Sequence, residues 1–381
     1  MVASGGTSLR RFASASSGIL LVAGAWIARS RSNRSGAVCT ENLIRLVSKC
    51  RCRIDHLVID PHLVRRAGDP HQGRSGGCQG TSDAASAQQM SVISIQSQVA
   101  YGHVGNSAAV FPMQMHGIDV IAVPTTLLSN RPGYPTIRGR VLEAQLVADL
   151  LLGVEERGAL DTAEVILSGY LGSAEIAAVV ADFVARAKAR NPALIYCCDP
   201  VLGDRDRALF VHADIPPIVR DLLCPLADMI TPNHFEFEWL CEVKATTIDQ
   251  VIDAAQALMV RGTSTIVVTS AELADTPDHE IETLAVEGVE EGSKLQSRAW
   301  RVRTPKLPID PSGTGDLFAS LFVSAWVCGS DIPDALGHAV SAIFAALERT
   351  KARETEEMRI VETAGSLAHP KRRFDIIPVR R

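Results

Sequence analysis

From residue 90 to the end of the chain, short apolar runs alternate with longer stretches of helical period, and this alternation constrains the fold most. Each run is rich in β-branched residues and ends in a polar or glycine-containing turn. Such runs are typical of buried strands, and the stretches between them are long enough to be crossover helices. Strands are predicted at Val92–Ser97, Ile118–Pro124, Val165–Tyr170, Leu194–Asp199, Met229–Pro232 and Thr265–Ser270. Helices are predicted at Val141–Leu152, Ala174–Ala189, Thr247–Val260, Leu317–Val327 and Ile332–Glu348.

The apolar runs predict an α/β fold with a central, mostly parallel sheet that helices cover on both faces. In such a sheet the carboxyl ends of the strands meet along one edge, where ligands bind. The segment Asp275–Arg303 has short alternations around an acidic, glycine-containing turn, which predicts a β-hairpin that crosses the edge of the sheet. The polar residues that follow the apolar runs are therefore the candidates for a site: Ser97, Asn130, Tyr170, Asp199, Asn233 and Ser270.

The first block of the chain differs in composition, and three interpretations of it stay open. Residues 1–90 hold 11 Arg and 1 Lys against 5 acidic residues, with one Phe, one Trp and no Tyr to form a core. Arg10 and Arg11 before the apolar stretch Gly18–Ala28 fit a secretory signal, whereas the excess of Arg fits a nucleic-acid-binding tail. We expect residues 1–89 to be a disordered or mis-started extension, with Met90 as the true start, because nothing after Met90 is typical of export.

Composition excludes several classes of protein. The net charge is −5, with 46% hydrophobic and 21% charged residues, which rules out a histone-like or disordered chain. The 9 Cys show neither zinc-ligand spacing nor a disulfide framework. No apolar run approaches the roughly 20 residues that span a bilayer. These features indicate a reduced, cytoplasmic protein with no membrane or nucleic-acid partner.

The chemistry is concentrated in the segment Pro311–Asp316, which precedes an apolar helical run. Gly313 and Gly315 allow a tight turn that brings successive backbone N–H groups together. The helix that follows adds unpaired amides and the positive end of its dipole, so this turn is suited to a phosphate. Asp316 is then either a catalytic group facing the phosphate or only an acidic residue favoured by the helix dipole.

Three carboxylates follow predicted strands on the same edge. Asp199 and Asp204 bound one segment, and Glu236 ends the segment that begins at Thr231. Together they would suit Mg²⁺, which prefers one or two carboxylates plus substrate phosphates. Ordinary turn and helix-cap chemistry explains each cluster equally well when it is taken alone. Beside an anion-binding turn, however, the three favour phosphoryl transfer from a metal-bound nucleotide.

Seven segments occur in a fixed order along the chain: Ile95–Val99, Gly102–Ala109, Leu128–Asn130, Ser168–Ser173, Cys198–Asp204, Thr231–Glu236 and Gly313–Phe318. Together they resemble the pyridoxal kinases of the ribokinase-like superfamily, and the resemblance runs from about residue 91 to Phe374. The ordered set is specific, whereas the Gly-Thr-Gly-Asp turn alone would indicate only the superfamily.

The resemblance implies a role for each matched residue. Asp316 matches the catalytic base, and Gly313, Thr314 and Gly315 match the anion hole. The pyridoxal-binding positions are Ser97, Asn130, Tyr134 and Tyr170, with Asp316 beside them. The nucleotide-binding positions are Asp199, Asp204, Thr231, Glu236 and Ser270, of which Asp199 and Glu236 would hold the metal.

The resemblance also implies an activity, cofactors and an assembly. Residues 90–381 would form a homodimeric kinase domain that uses ATP and Mg²⁺, and a monovalent cation such as K⁺ is common in such kinases. The reaction would convert pyridoxal to pyridoxal 5′-phosphate, with pyridoxine and pyridoxamine as further substrates. Two alternatives stay open: a hydroxymethylpyrimidine kinase or other ribokinase-like small-molecule kinase, against which Thr314 argues, and a non-catalytic vitamin B6-binding protein.

Two departures from the family pattern bear on the site. Many relatives have His-Thr-Gly-Tyr where this chain has Arg131, Pro132, Gly133 and Tyr134, and Phe210 stands where Tyr is frequent. The first departure changes a ring contact, and the second removes a hydroxyl near the phosphates. Elsewhere, the acidic run Glu354–Glu357 is expected to be a solvated helix face.

Overall fold

The structure, a computed structural model, describes residues 90–291 and 294–380. The expectations for residues 1–89 lie outside these ranges. Twelve strands are present in the described part: β1 Ser91–Tyr101, β2 Asp119–Asn130, β3 Gly139–Val141, β4 Val165–Ser168, β5 Ile195–Cys198, β6 Gly203–Asp204, β7 Ala208–Leu209, β8 Met229–Ile230, β9 Thr265–Ala271, β10 Glu280–Glu291, β11 Lys294–Pro305 and β12 Ile376–Val379.

The helices of the described ranges connect and follow these strands. They are α1 Asn106–Met115, α2 Ala144–Glu156, α3 Ala174–Arg190, α4 Ile215–Ile218, α5 Cys224–Leu226, α6 His234–Cys241, α7 Ile248–Met259, α8 Thr314–Val327, α9 Ile332–Ala352 and α10 Ala364–Ala368. Short 3₁₀ turns lie at Ala159–Asp161 and Val361–Thr363, and a π-helical segment lies at Val219–Leu223. None of these described helices combines the length and the apolar character needed to cross a bilayer.

Ten strands form one sheet in the order β12-β11-β10-β9-β8-β5-β4-β1-β2-β3, and β6 and β7 form a separate two-stranded ribbon. The pairings from β2 across to β9 are all parallel. The remaining pairings in the sheet, at its two ends, are antiparallel. The predicted mostly parallel sheet is therefore confirmed.

Alternate residues of the central strands bury apolar side chains on opposite faces of the sheet. In β1, Val92 packs in one core cluster, whereas Ile93 and Ile95 pack in the other. The first cluster includes apolar side chains of α1, α8 and α9, and the second those of α2, α3 and α7. Helices on both faces explain why apolar side chains of β1 are buried on both sides of the sheet and why β4 and β5 are almost wholly apolar.

The predicted hairpin is present near one end of the sheet. Strands β10 and β11 pair antiparallel along their whole length, and β10 also pairs with β9. The C-terminal strand β12, which was not predicted, pairs with Ala299–Val302 of β11 and is the outermost strand at this end. Strand β12 is only four residues long and half exposed, which gave a weak sequence signal.

Candidate active site

The turn before α8 has the backbone that a phosphate-binding cradle requires. Gly313 caps the helix with φ 88°, in the left-handed region that favours glycine. A Cβ at this position would overlap the carbonyl oxygen of His103. The first helical amides, from Thr314 onward, have no partner within the helix, and they carry the positive end of its dipole. The backbone of this turn is therefore compatible with the predicted anion site.

Asp316 lies in the first turn of α8 and is partly buried. Burial raises the pKa of its carboxyl group, and the backbone N–H of Gly105 opposes this rise by donating a hydrogen bond to it. A raised carboxyl pKa suits a group that must accept a proton and later release it. Its place in the first helical turn matches the sequence-based prediction.

Ser97 is joined to Asp316 through Gly105. Ser97 is 6% exposed and lies in β1 opposite an irregularity, where Thr125 and Thr126 of β2 face a single residue. Such a bulge redirects a side chain at a sheet edge. Gly105 has φ 54°, and a Cβ there would overlap the hydroxyl and carbonyl oxygens of Ser97. One glycine therefore contacts the predicted substrate residue and binds the predicted base.

Asp199 follows β5 and is buried, with 4% of its surface exposed. One of its carboxylate oxygens, Oδ1, accepts a hydrogen bond of 3.0 Å from the Thr231 hydroxyl. The other, Oδ2, has no hydrogen-bond partner and faces Gly315 of the phosphate turn. Burial, together with the charges of Glu236 and Asp316, raises the pKa of Asp199 well above its usual range. The structure thus brings Asp199, Thr231 and Gly315, all predicted site residues, into contact.

Glu236 also reaches this edge, but its carboxylate is engaged by backbone amides. Oε1 accepts hydrogen bonds from the N–H groups of Leu202 (2.8 Å) and Gly203 (3.2 Å). Oε2 accepts one from Asn233 (2.9 Å), and Asn233 caps α6 in a reciprocal capping box. Burial raises the pKa of Glu236 to about 7. The described geometry makes Glu236 the clamp of the 202–203 loop, and its metal-binding role stays a prediction.

The two outer nucleotide positions are more exposed. Asp204, in the β6–β7 ribbon, accepts hydrogen bonds of 2.7 Å from the backbone and the guanidinium of Arg207. Arg207 lies over the ring of Phe210, 5.6 Å from its centroid. Ser270 is exposed and has φ 51°, at the point where the pairing of β9 with β10 is irregular. A left-handed backbone at a non-glycine residue is uncommon, and such residues concentrate at functional sites.

The predicted substrate positions lie at the other end of the edge. The backbone carbonyl of Tyr170 accepts a 2.7 Å hydrogen bond from Thr125, and burial raises the pKa of its phenol. Asn130 uses its side-chain amide within its own loop, donating to the carbonyls of Arg131 (3.1 Å) and Thr136 (2.9 Å). Asn130 therefore orders the loop, and its contact with a substrate stays a prediction.

Sequence reasoning missed two residues of the site and was wrong about one of them. Gly105 lies in the segment Gly102–Ala109, and its place shortly after a predicted strand is the signal that could have identified it. Glu357 was expected on a solvated helix face. It lies instead in the turn after α9, and its side chain is only 12% exposed, hydrogen bonded to Arg131, Tyr134 and the backbone of His103.

Three carboxylates lie close together at the carboxyl edge of the sheet, an arrangement that a bound cation would stabilise. Asp199, Glu236 and Asp316 are close enough for the other two carboxylates to raise the pKa of Asp199. Asp199 Oδ2 has no protein donor, which fits a divalent cation or its bound water. Within the described residues no three His, Cys, Asp or Glu side chains form a closed metal-binding group. The donor set therefore fits a metal that arrives with phosphates, as Mg²⁺ does with a nucleotide.

Comparison with known proteins places the chain in a family. It matches the phosphomethylpyrimidine kinase family over residues 142–360. It is 41% identical over 287 residues to pyridoxal kinase PdxY of Corynebacterium diphtheriae, covering 75% of this chain and 99% of that protein. The corresponding protein of Rubrobacter xylanophilus is 42% identical over 293 residues, covering 77% of this chain and 97% of that protein.

A solved structure agrees with the sequence relatives. Pyridoxal kinase from Leishmania donovani, in complex with ADP and pyridoxamine, superposes with a TM-score of 0.69 and 30% sequence identity. The superposition covers 76% of this chain and 99% of that chain. Identity over most of the chain, a shared fold and the phosphate turn together show that this chain belongs to the pyridoxal kinase family, with the ribokinase-like fold.

Proposed function

We propose that the protein transfers the γ-phosphoryl group of ATP to the 5′-hydroxymethyl group of pyridoxal, forming pyridoxal 5′-phosphate in vitamin B6 salvage. The observation that carries the proposal is the unit formed by Ser97, Gly105 and Asp316 beside the phosphate turn. It brings a substrate-contacting residue, a base and an anion cradle together. The Leishmania donovani relative, which binds ADP and pyridoxamine, supports the same pair of substrates.

In the proposed mechanism, Asp316 accepts the proton of the attacking hydroxyl as its oxygen approaches the γ-phosphorus. The nearby backbone N–H of Gly105 favours the charged form of this carboxyl group. The amides of Gly313, Thr314 and Gly315 stabilise charge that develops on the transferred group, which is where preorganised donors contribute most. Ser97, held by the bulge in the β1–β2 pairing, orients the pyridine ring, and Tyr170 lines its pocket.

Nucleotide binding is assigned to the opposite half of the edge. Asp199 Oδ2 is the proposed direct contact with Mg²⁺ or its water, and Glu236 supports it through the 202–203 loop. Thr231 and Ser270 contact nucleotide phosphates in this proposal, and Asp204 supports them. When bound, Mg²⁺ would neutralise phosphate charge. A monovalent cation such as K⁺ beside the anion hole is part of the same proposal.

Replacing Asp199 with Asn should change two measurable properties: the pH dependence of the free energy of unfolding and the Mg²⁺ concentration that the reaction requires. Because the pKa of Asp199 is raised, the folded protein holds a proton that the unfolded chain releases, so the free energy of unfolding falls as pH rises above the ordinary carboxyl range. We expect Asp199→Asn to remove that pH-dependent loss in the unliganded protein. We also expect it to raise the Mg²⁺ concentration for half-maximal rate by about tenfold or more.

Thermal unfolding across pH 5 to 8 and Mg²⁺ titrations of the rate measure the two effects. Asp182→Asn, at a side chain that is 69% exposed, is the matched control and should change neither. An unaltered Mg²⁺ requirement in Asp199→Asn would remove Asp199 from the metal site.

A substrate panel tests the reaction itself. The full chain is assayed with ATP and Mg²⁺ against pyridoxal, pyridoxine, pyridoxamine and hydroxymethylpyrimidine. Pyridoxal should give the highest kcat/KM among them. Preference for hydroxymethylpyrimidine would favour the alternative, a hydroxymethylpyrimidine kinase. The chain matches the phosphomethylpyrimidine kinase family over residues 142–360. Binding without turnover would favour a non-catalytic vitamin B6-binding protein.

We also propose a homodimer, formed through an exposed apolar face at the β3 end of the sheet. The face includes β2, the edge strand β3 and the neighbouring helix α2. Several large apolar residues in and beside these elements are between 38% and 49% exposed: Leu127 of β2, Ile137 in the loop before β3, Val141 of β3, and Leu146 and Leu150, one turn apart on α2. Apolar patches of this kind commonly mark protein interfaces.

The apolar face gives a test of assembly. Leu150→Glu places a charge in the proposed interface and should convert dimer to monomer in sedimentation velocity. Val260→Glu is the control, because Val260 is 81% exposed but lies after α7, away from β3. Wild-type protein that sediments as a monomer would contradict the proposed dimer.

Residues 1–89 are proposed to lie outside the catalytic domain of residues 90–381, and the enzyme is proposed to act in the cytoplasm. Every element that carries a site residue follows the start of β1 at Ser91, which supports the first proposal. A chain beginning at Met90 should keep the kcat and KM of the full chain. Cell fractionation tests the second proposal, and activity in a membrane or secreted fraction would contradict it.

A further inference from the structure

Glu357 receives hydrogen bonds from three separate donors. Its Oε1 accepts one from Arg131 Nε at 3.0 Å and one from the Tyr134 hydroxyl at 2.8 Å. Its Oε2 accepts one from the backbone N–H of His103 at 3.1 Å. With a side chain that is 12% exposed, this carboxylate is mostly shielded from water. Charged hydrogen bonds of this kind are about twice as strong as neutral ones.

These donors belong to the two segments that flank the substrate end of the site. Arg131 and Tyr134 follow Asn130 at the carboxyl end of β2, in the loop where this chain departs from the family pattern. His103 lies in the turn after β1, and its carbonyl oxygen packs against Gly313 of the phosphate turn. Glu357 therefore connects the 130–134 loop with the turn that supports the cradle.

Further contacts hold the loop side of this cluster in one arrangement. The Arg131 guanidinium lies over the Tyr134 ring, 4.7 Å from its centroid. Tyr101 and Tyr134 meet edge to face, with their centroids 6.0 Å apart. The hydrogen bond to Glu357 raises the pKa of Tyr134 to about 12, as expected for a phenol whose proton is shared with a carboxylate.

The cluster borders a cleft of about 600 Å³ that is lined by residues 100–103, Tyr134 and residues 355–359. Gly102 belongs to this wall, and a Cβ there would overlap the carboxylate of Glu357. The close approach shows that Glu357 is packed directly on the backbone of the turn. A movement of Glu357 would therefore displace both the 102–103 turn and Tyr134, which line the cleft.

We propose that Glu357 is a positioning residue that sets the affinity for the phosphoryl acceptor by fixing the 130–134 loop against the 102–103 turn. The inference rests on the proposed kinase function, because it concerns the substrate end of the same site. Glu357 acts through Arg131, Tyr134 and His103 and takes no part in proton transfer. Its loss should therefore weaken acceptor binding more than it affects the nucleotide.

The variant Glu357→Gln removes the charge while keeping the size of the side chain, and Glu356→Gln is the matched control. Glu356 has a 73% exposed side chain and only a 3.5 Å contact with Arg131. We expect Glu357→Gln to raise the KM for pyridoxal about tenfold, with the KM for ATP changed less than twofold. Glu356→Gln should leave both values unchanged.

A mutant cycle with Tyr134→Phe tests the route. If Glu357 acts through the loop, the double variant should raise the KM for pyridoxal by less than the product of the two single effects. Equal changes in both KM values, together with a lower melting temperature, would identify Glu357 as a general support and overturn the proposal. Independent, fully multiplicative effects would overturn it as well.

Hydrogen exchange separates this inference from the proposed function. The amide of His103, which donates to Glu357 Oε2, should exchange faster in Glu357→Gln than in wild type and be unchanged in Glu356→Gln. Unchanged exchange would overturn the positioning role even in an active kinase. A wild-type enzyme that fails to phosphorylate pyridoxal would instead refute the proposed function, whatever the exchange result.

Discussion

Asp316→Asn should lower kcat for pyridoxal phosphorylation by roughly 10²–10⁴-fold, the range over which a positioned general base contributes. The amide has nearly the shape of the carboxylate but cannot take the proton of the hydroxymethyl group. Because burial raises the pKa of Asp316, wild-type kcat/KM should fall as pH drops through that raised pKa. Asp316→Asn should lose this acidic limb of the pH profile.

The control for Asp316→Asn is binding. ADP affinity measured by calorimetry and the far-ultraviolet circular dichroism spectrum should match those of wild type, because Asn can keep its place at the start of α8. A variant that retains more than a tenth of wild-type turnover would contradict the assignment of Asp316 as base. The reaction would then need another group at the phosphate turn.

Gly313→Ala should remove most activity through the backbone rather than through a side chain. Its φ of 88° costs an L-residue about 1–2 kcal/mol, and the new Cβ would overlap the His103 carbonyl. Neither a Cβ nor a carbonyl oxygen can rotate away as the end of a flexible side chain can, so the turn must shift. Displacing one donor of an anion hole lowers kcat by about 10²–10³-fold, and we expect a loss of that order.

Gly329→Ala is the matched control for this substitution. Gly329 also has a left-handed φ, 95°, but no atom lies within 4 Å of the position of a Cβ. Both variants should lose stability from left-handed backbone strain in chemical denaturation, Gly313→Ala more than Gly329→Ala because of the overlap with His103, while only Gly313→Ala loses activity. Full activity in Gly313→Ala would mean that the cradle amides are not needed in their present positions.

Much of the fold could be predicted because apolar residues on both faces of the central strands leave few alternatives. The helix after β2 was harder, since it was predicted from Val141 but begins at Ala144. Residues Gly139–Val141 form β3 and pair with β2 instead. A three-residue edge strand has too little periodicity to be recognised beside a helical pattern.

Site contacts between residues close in the sequence could be predicted, whereas contacts between distant residues could not. Glu236 and Asn233 carry a capping-box pattern that is visible in the sequence, and the structure contains that box. Glu357 could not be predicted, because its partners Tyr134 and His103 are 223 and 254 residues away along the chain. A run of acidic residues does not reveal which member turns inward.

The strand order has a consequence for how such an enzyme can diversify. Vitamin recognition is assigned to β1, β2, the loop after β2 and Tyr170 after β4, whereas the nucleotide positions lie at or after β5, β8 and β9. Changes such as Pro132 therefore alter one half of the edge while leaving the other half intact. An enzyme of this fold could therefore come to accept a new alcohol through changes in a single loop, while its nucleotide-binding residues stay the same.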